Sequence, residues 1–393
     1  MRMLFLTSEY PPFAWGGLGR YSREAVRALR ELAAVDVLNV PSYYGSVVAA
    51  GELPAGFSVG SEDGCTVVHA CSPRTSELFA EGPGDLAAAA AAASEETLPA
   101  ALEALDPPYD VVYAQDYYTA PFAVRLLLDG AGRRLACMSH LPLYAGFTYF
   151  DKPHADEVHQ ALEALCLRFA DVVVAPSRFA KRVLASTHAV DPDRIVVIGE
   201  GVRMHGGQRN GASSSGDPLR ILGVARLVEQ KGLHFTVEVL ASLRARSVPF
   251  TFTLVGRGPL EGRVRVLLER QGLGERATLI REVDHDALLD LYMSADVFLS
   301  TSLYETFGLT VLEAMSRGCV PVAFGLPALR ELIGDAGITV AVGDVEAAAD
   351  ATAALADAPG LRASLAELGR LRAADLTWER HADALIRIME LRA

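Results

Sequence analysis

Short apolar runs alternate along this chain with stretches of helical periodicity, in an order that reads as strand, turn, helix, strand. Ala295-Asp296-Val297-Phe298-Leu299-Ser300 is apolar and rich in strand formers. After a loop, Leu309, Leu312 and Met315 recur at helical spacing, and Gly318 stops that helix before a new apolar run, Cys319-Val320-Pro321-Val322-Ala323-Phe324. Such a unit predicts a parallel sheet with the helix starting at its carboxyl edge. The same reading gives strands at 3–6, 111–114, 134–138, 219–225 and 252–255, and helices at 21–32, over the alanine tract 87–93 and at 379–391. Residues 205–218 are polar, Gly/Ser-rich and aperiodic, which predicts a linker. The expected architecture is α/β: two doubly wound domains, 1–204 and 219–376, facing a cleft where ligands bind, and a closing segment at 377–393.

The strand ends carry the chemistry. Tyr304-Glu305-Thr306-Phe307-Gly308-Leu309 follows one strand, and Glu313 stands about a turn and a half into the next helix, so Glu305 and Glu313 can face one ligand. N–H groups of Phe307, Gly308 and Leu309, with Thr306 in the same loop, suit a phosphate at the helix start. A carboxylate near the end of such a unit suits ribose hydroxyls. Two solvated glutamates would show the same spacing. After the strand 219–225 come Arg226 and Lys231, five residues apart. The chain has only three lysines against 33 arginines, so a lysine here suggests that a compact point charge is needed. Together the two cations can clamp a diphosphate. Phe252-Thr253-Leu254-Val255 ends in Gly256-Arg257-Gly258, which alone is an ordinary tight turn. Three strand ends supplying cations, glycines and carboxylates imply a nucleoside-diphosphate site.

In this order, Arg226 with Lys231, Gly256-Arg257-Gly258 and the two glutamates eight residues apart resemble the donor half of retaining, nucleotide-sugar-dependent glycosyltransferases of the GT-B fold, family four (glycosyltransferase group 1). The opening Ser8-Glu9-Tyr10-Pro11-Pro12 and Trp15-Gly16-Gly17-Leu18-Gly19 agrees, as does Thr377-Trp378-Glu379 before the last helix. The resemblance implies two Rossmann-like domains, with the final helix packed back on the first. It implies that Gly16 and Gly17 approach the donor phosphates or the sugar, and that His140, in Met138-Ser139-His140, lies against the donor sugar. Asp116, on the same sheet edge, would touch sugar or acceptor; Glu305 would hold sugar hydroxyls and Glu313 the ribose. The base would meet the backbone near Val283, although Arg281 stands where relatives have Gly. Glu200-Gly201-Val202-Arg203 replaces an Asn-Gly-Val-Asp pattern, and no role is assigned to its polar positions. Glycogen synthases carry a Lys two residues before the Gly pair, where this chain has Ala14, which disfavours a glucan synthase.

Composition then narrows the partners. With 393 residues, 51% hydrophobic and 22% charged, the chain fits two ordinary globular domains. No apolar run reaches the roughly 20 residues of a membrane span. Five cysteines without metal spacing suggest reduced thiols and a cytoplasmic protein. Asp191-Pro192-Asp193 and Asp284-His285-Asp286 read as helix caps rather than metal motifs, so Arg226 and Lys231 would replace a metal and no cofactor is expected beyond the nucleotide-sugar donor of UDP or GDP type. Residues 1–195 hold 15 Lys and Arg against 24 Asp and Glu, a net of −9, which disfavours anionic membranes and nucleic acid. Tyr43, Tyr44, Tyr117, Tyr118, Tyr144, Phe147, Tyr149 and Phe150 can stack on a sugar or cyclitol where they are not core. Glu9, Asp116, Asp151, Asp156 and Glu157 would draw a cationic acceptor. The expected acceptor is therefore small, soluble and polar, such as an amino-sugar or secondary-metabolite intermediate. Three alternatives stay open: a glucan or oligosaccharide synthase of the same fold, a glycoside hydrolase using Glu305 and Glu313, and a nucleotide-binding module without turnover.

Overall fold

The computed structural model describes residues 1–14, 16–40, 56–62, 64–71, 86–142, 153–204 and 217–392. Most of the expected linker, 205–216, lies outside the described residues. So do Trp15, Tyr43, Tyr44, Tyr144, Phe147, Tyr149, Phe150, Asp151 and the side chains of Asp156 and Glu157. The chain divides into two compact bodies, Met1–Glu200 with Trp378–Ala393, and Gly201–Thr377. Residues 201–204 go with the second body because the Val202 N–H donates to Leu376 O at 2.9 Å and Val202 bridges Thr377.

The first body holds an eight-stranded sheet: β1 (Arg2–Thr7), β2 (Ala34–Asn39), β3 (Gly56–Glu62), β4 (Cys65–Cys71), β5 (Val111–Gln115), β6 (Leu135–Met138), β7 (Val172–Ala175) and β8 (Ile195–Val197). Its order is β3-β4-β2-β1-β5-β6-β7-β8, parallel throughout except for the β3–β4 pair. Strand β5 is buried at every position, as expected of a strand covered on both faces. Helices α1 (Gly17–Leu29), α2 (Leu86–Leu105), α3 (Ala120–Leu128), α4 (Pro153–Phe169) and α5 (Arg178–Thr187) fill the crossovers. Helix α1 starts at Gly17 rather than at Tyr21, because extended Gly16 caps it and the Glu9 carboxylate binds its first turn.

The second body carries β9 (Leu219–Val224), β10 (Phe250–Val255), β11 (Ala277–Ile280), β12 (Val297–Ser300), β13 (Val320–Phe324) and β14 (Ile338–Val340). The order is β11-β10-β9-β12-β13-β14 and every pair is parallel. Helices α6 (Leu233–Ala245), α7 (Glu261–Arg270), α8 (His285–Ser294), α9 (Leu309–Ser316), α10 (Pro327–Ile333), α11 (Val345–Asp357) and α12 (Pro359–Ala374) cover its faces over two apolar clusters. The last helix, α13 (Trp378–Leu391), belongs to the first body, where Trp378 and His381 pack edge-on against Tyr21 of α1.

Both sheets are doubly wound, so each has a point where strand order reverses. That point lies between β1 and β5 in the first and between β9 and β12 in the second. Ligands of open parallel sheets bind beyond the carboxyl ends of strands at such a reversal. No helix among the described residues is long and apolar enough to cross a membrane.

Candidate active site

In the second body the reversal point unites the loop after β9 with the loop after β12. Backbone and side chain stitch them together: Leu303 N–H donates to Gln230 O at 2.8 Å, and Gln230 Nε2 donates to Tyr304 O at 2.9 Å. Gly232 sits between them in the left-handed region at φ 57°, and a Cβ there would lie 2.2 Å from Thr301 O. Held this way, Lys231 Nζ reaches Glu305 Oε1 at 2.6 Å, with both side chains mostly buried, and Ser302 Oγ donates to the same oxygen at 2.8 Å. Arg226 projects as an exposed cation from the same loop. The Lys231–Glu305 pair thus sits at one strand reversal, with Arg226 exposed in the same β9 loop. Helix α9 opens just beyond, where Gly308 caps it at φ 102°. Val311 and Leu312 N–H return to Gly308 O, so the N–H groups nearest the start point out of the helix. Glu313, 3% exposed, lies inside α9 and accepts the Tyr292 hydroxyl at 2.9 Å, which fixes its carboxylate from behind.

Gly256 and Gly258 are required by the contact between two loops. At φ 149° a Cβ on Gly256 would lie 1.8 Å from Ala225 O, and one on Gly258 2.5 Å from Leu227 O. The turn is laid against the Arg226 loop, with Leu227 N–H donating to Arg257 O at 2.8 Å. These glycines let two loops touch and so place Arg226. Arg257 bonds Glu282 at 3.3 Å across the ends of β10 and β11. Val283, half-buried, comes directly after and precedes Asp284, whose carboxylate caps α8 through Ala287 N–H. Asp191 likewise caps its own turn through Asp193 N–H, so both Asp-x-Asp segments are caps. Among the described residues, no group of three or more His, Cys, Asp or Glu is placed to hold a metal ion.

In the first body, Glu9 Oε2 accepts the N–H groups of Gly16 at 3.0 Å and Gly19 at 3.1 Å. The positive end of α1 therefore already carries a carboxylate, and a phosphate on those two N–H groups would displace it. Gly19 is required, since a Cβ there would collide with Ala14 at 2.4 Å, whereas nothing stands within 4 Å of one on Gly17. Gly17 is thus the open face of this turn.

His140 lies at the end of β6 with both ring nitrogens engaged: Nδ1 with Glu200 Oε1 at 3.2 Å and Nε2 with Gln115 Oε1 at 3.0 Å. Its backbone N–H donates to Asp116 Oδ1 at 2.9 Å. Burial pulls the imidazole pKa down, but the Glu200 hydrogen bond and the charges of Asp116, Glu200 and Glu9 outweigh it, and the net is raised. Asp116 is pushed up by burial, opposed by the His140 charge and N–H. Its backbone is held at φ 58° and ψ 171°, a strained conformation for a non-glycine residue. Behind His140, Tyr113 and Tyr21 hydroxyls lie 2.8 Å apart, Tyr21 reaches His381 Nε2 at 2.9 Å, and His381 Nδ1 meets Gly199 O at 2.8 Å. Burial lowers His381 to about 4. Sequence reasoning missed Gln115 and His381 as parts of this edge, assigned Glu200 no role, and named Glu9 only as part of an acidic field. Only Glu9, seven residues before a glycine-rich helix start, gave a local signal.

Two family models match in tandem, a glycosyl transferase 4-like domain over residues 16–201 and glycosyl transferases group 1 over residues 208–372. Glycogen synthase of Mycobacterium tuberculosis is 25% identical, over 99% of this chain and 94% of its own. 2-Deoxystreptamine glucosyltransferase of Streptomyces kanamyceticus is 30% identical, over 44% of this chain and 44% of its own. With such relatives of higher identity, the aligned stretch spans less than half of either protein. Among solved structures, sucrose-phosphate synthase from Thermosynechococcus elongatus superposes with a TM-score of 0.81 at 20% identity, covering 100% of this chain and 99% of that one. The chain has the GT-B fold and belongs to the group 1 glycosyltransferases, enzymes that use nucleotide sugars.

Proposed function

We propose that this enzyme is a retaining, metal-independent hexosyltransferase that moves a sugar from a UDP- or GDP-type donor to a small, soluble, polar acceptor. The observation that carries the reading is the convergence of Arg226, Lys231 and Glu305 at the β9–β12 reversal. As the glycosidic bond breaks, charge develops on the leaving diphosphate, and Lys231, held by Glu305, with Arg226 stabilises it where a divalent ion would otherwise be needed. Lys231 is held by Glu305 until donor binds, so the donor takes over a cation already in position. Glu305, released from part of that pairing, then accepts sugar hydroxyls, and Glu313 faces the ribose. Retention follows from acceptor attack on the face that the diphosphate leaves.

The acceptor reading rests on charge. The net of −9 over residues 1–195, the Glu9 carboxylate at the start of α1 and Asp116 beside His140 all favour a cationic or hydroxyl-rich acceptor over an anionic one. The 30% identical relative is named for glucosyl transfer to 2-deoxystreptamine, which agrees. Glycogen synthase matches over a greater length and keeps a glucan acceptor as the second reading. A hydrolase using Glu305 and Glu313 is disfavoured because it would not need the two cations, Arg226 and Lys231, that follow β9.

The test is product analysis with UDP- and GDP-sugars, 2-deoxystreptamine and maltooligosaccharides in excess EDTA. The expected result is transfer in chelator, with the donor's anomeric configuration kept in the product's ¹H spectrum. Inverted product, or activity lost in EDTA and restored by Mg²⁺ or Mn²⁺, would overturn this mechanism.

A further inference from the structure

Glu200 stands where the resembling family has Asn, and the structure gives that difference a purpose. The Gln115 amide is oriented independently, because its Nε2 donates to Tyr113 O at 3.2 Å, which turns Oε1 toward His140 Nε2 at 3.0 Å. An amide oxygen only accepts, so Nε2 of His140 carries a proton. On the other side Glu200 Oε1 lies 3.2 Å from Nδ1, and a carboxylate also only accepts, so Nδ1 carries one too. A neutral imidazole has one N–H and would leave one of these contacts as two facing lone pairs. With Asn in place of Glu200, its NH₂ could satisfy an unprotonated Nδ1 and the ring could stay neutral.

We propose that Glu200 is a positioning residue that holds His140 as a fixed imidazolium, with both N–H groups committed inside the protein, as counter-ion to Asp116. His140 then does not carry protons during transfer. Its charge and its backbone N–H keep the Asp116 carboxylate available at the sheet reversal, 2.9 Å from His140 N. The charged and polar groups recorded around the ring, among the described residues, include Glu9 after β1, Tyr21 on α1, Gln115 and Asp116 at the end of β5, Glu200 after β8 and His381 on α13. Three of these are carboxylates against one imidazolium, and His381 is held neutral by burial. The role in transfer rests on the proposed function; the charge state does not.

The experiment is ¹³C-Cε1 histidine NMR on the full chain, with the His140 signal among nine histidines assigned by its loss in His140→Gln. In the wild type the His140 carbon should keep the imidazolium shift at pH 7 and titrate above free histidine. In Glu200→Gln, of nearly equal volume, that transition should move to lower pH. A neutral tautomer at pH 7 in the wild type overturns the proposal, and this outcome needs neither the Glu200 variant nor a substrate. An unmoved transition in folded Glu200→Gln overturns it as well. With donor and acceptor, the alkaline limb of kcat/KM for acceptor should move down in Glu200→Gln while donor KM stays put. A moved NMR transition with an unmoved limb would refute the role in transfer alone.

Discussion

Acidification should destabilise the first body through His381, and the size of the effect follows from its surroundings. His381 is 2% exposed, and in its neutral form Nδ1–H donates to Gly199 O while Nε2 accepts from Tyr21, whose oxygen accepts from Tyr113. Protonation would put an N–H where the chain needs an acceptor and a charge on a side chain only 2% exposed. Burial accordingly lowers its pKa to about 4, against about 6.5 unfolded. A depressed histidine lets the unfolded chain bind protons first, so stability falls as pH drops below the unfolded value and levels off below the folded one. Between pH 7 and pH 5 this linkage costs about 2 kcal/mol. His140 works in the opposite sense: its raised value gives stability that is present at acid pH and lost as pH rises. It is common to both proteins compared and cancels. The assay is urea unfolding at pH 7 and pH 5 of His381→Gln and its parent, both carrying Trp15→Phe. Trp378, 4% exposed against Tyr21 and His381, then reports alone. The parent should lose about 2 kcal/mol more than His381→Gln between the two pH values. Equal losses would refute the reasoning.

Gly256→Ala should destabilise the second body by about 3 kcal/mol or more in denaturant unfolding, because its Cβ meets Ala225 O and its φ of 149° is strained for alanine. Gly17→Ala should stay within about 0.5 kcal/mol of wild type yet raise the KM of whichever substrate approaches α1, since nothing stands near its Cβ. A cationic acceptor should show kcat/KM falling steeply from low to high salt, as exposed charges are screened over about 8 Å at 0.15 M, with donor KM changing less. A flat salt profile would favour the glucan reading.

Much of the β9–β12 edge was legible because its residues lie within a few positions of a strand end. Arg226, Lys231 and Glu305 are exposed or half-buried polar groups directly after apolar runs, and topology alone then brings the loops together. The glycines were harder. Gly256 is required by a carbonyl 31 residues earlier in the chain, and sequence periodicity carries no trace of that contact. The start of α1 was placed at Tyr21 because Gly16-Gly17 reads as a loop, but the Glu9 carboxylate supplies the cap that glycine lacks. Glu200 and His381 act on His140 and Tyr21 across 60 and 360 residues, so their roles appear only once the sheet and α13 are assembled.

The central claim is that Lys231, with Arg226, stabilises the diphosphate leaving a nucleotide sugar, and the most direct measurement is kcat at saturating donor for Lys231→Ala. Its fold should be checked by near-UV circular dichroism, because the substitution leaves Glu305 with Ser302 alone of the two partners seen on its Oε1. The account predicts a folded protein whose turnover falls by about 10²-fold or more, the loss typical of removing one electrostatic stabiliser. Wild-type turnover in folded Lys231→Ala would contradict it.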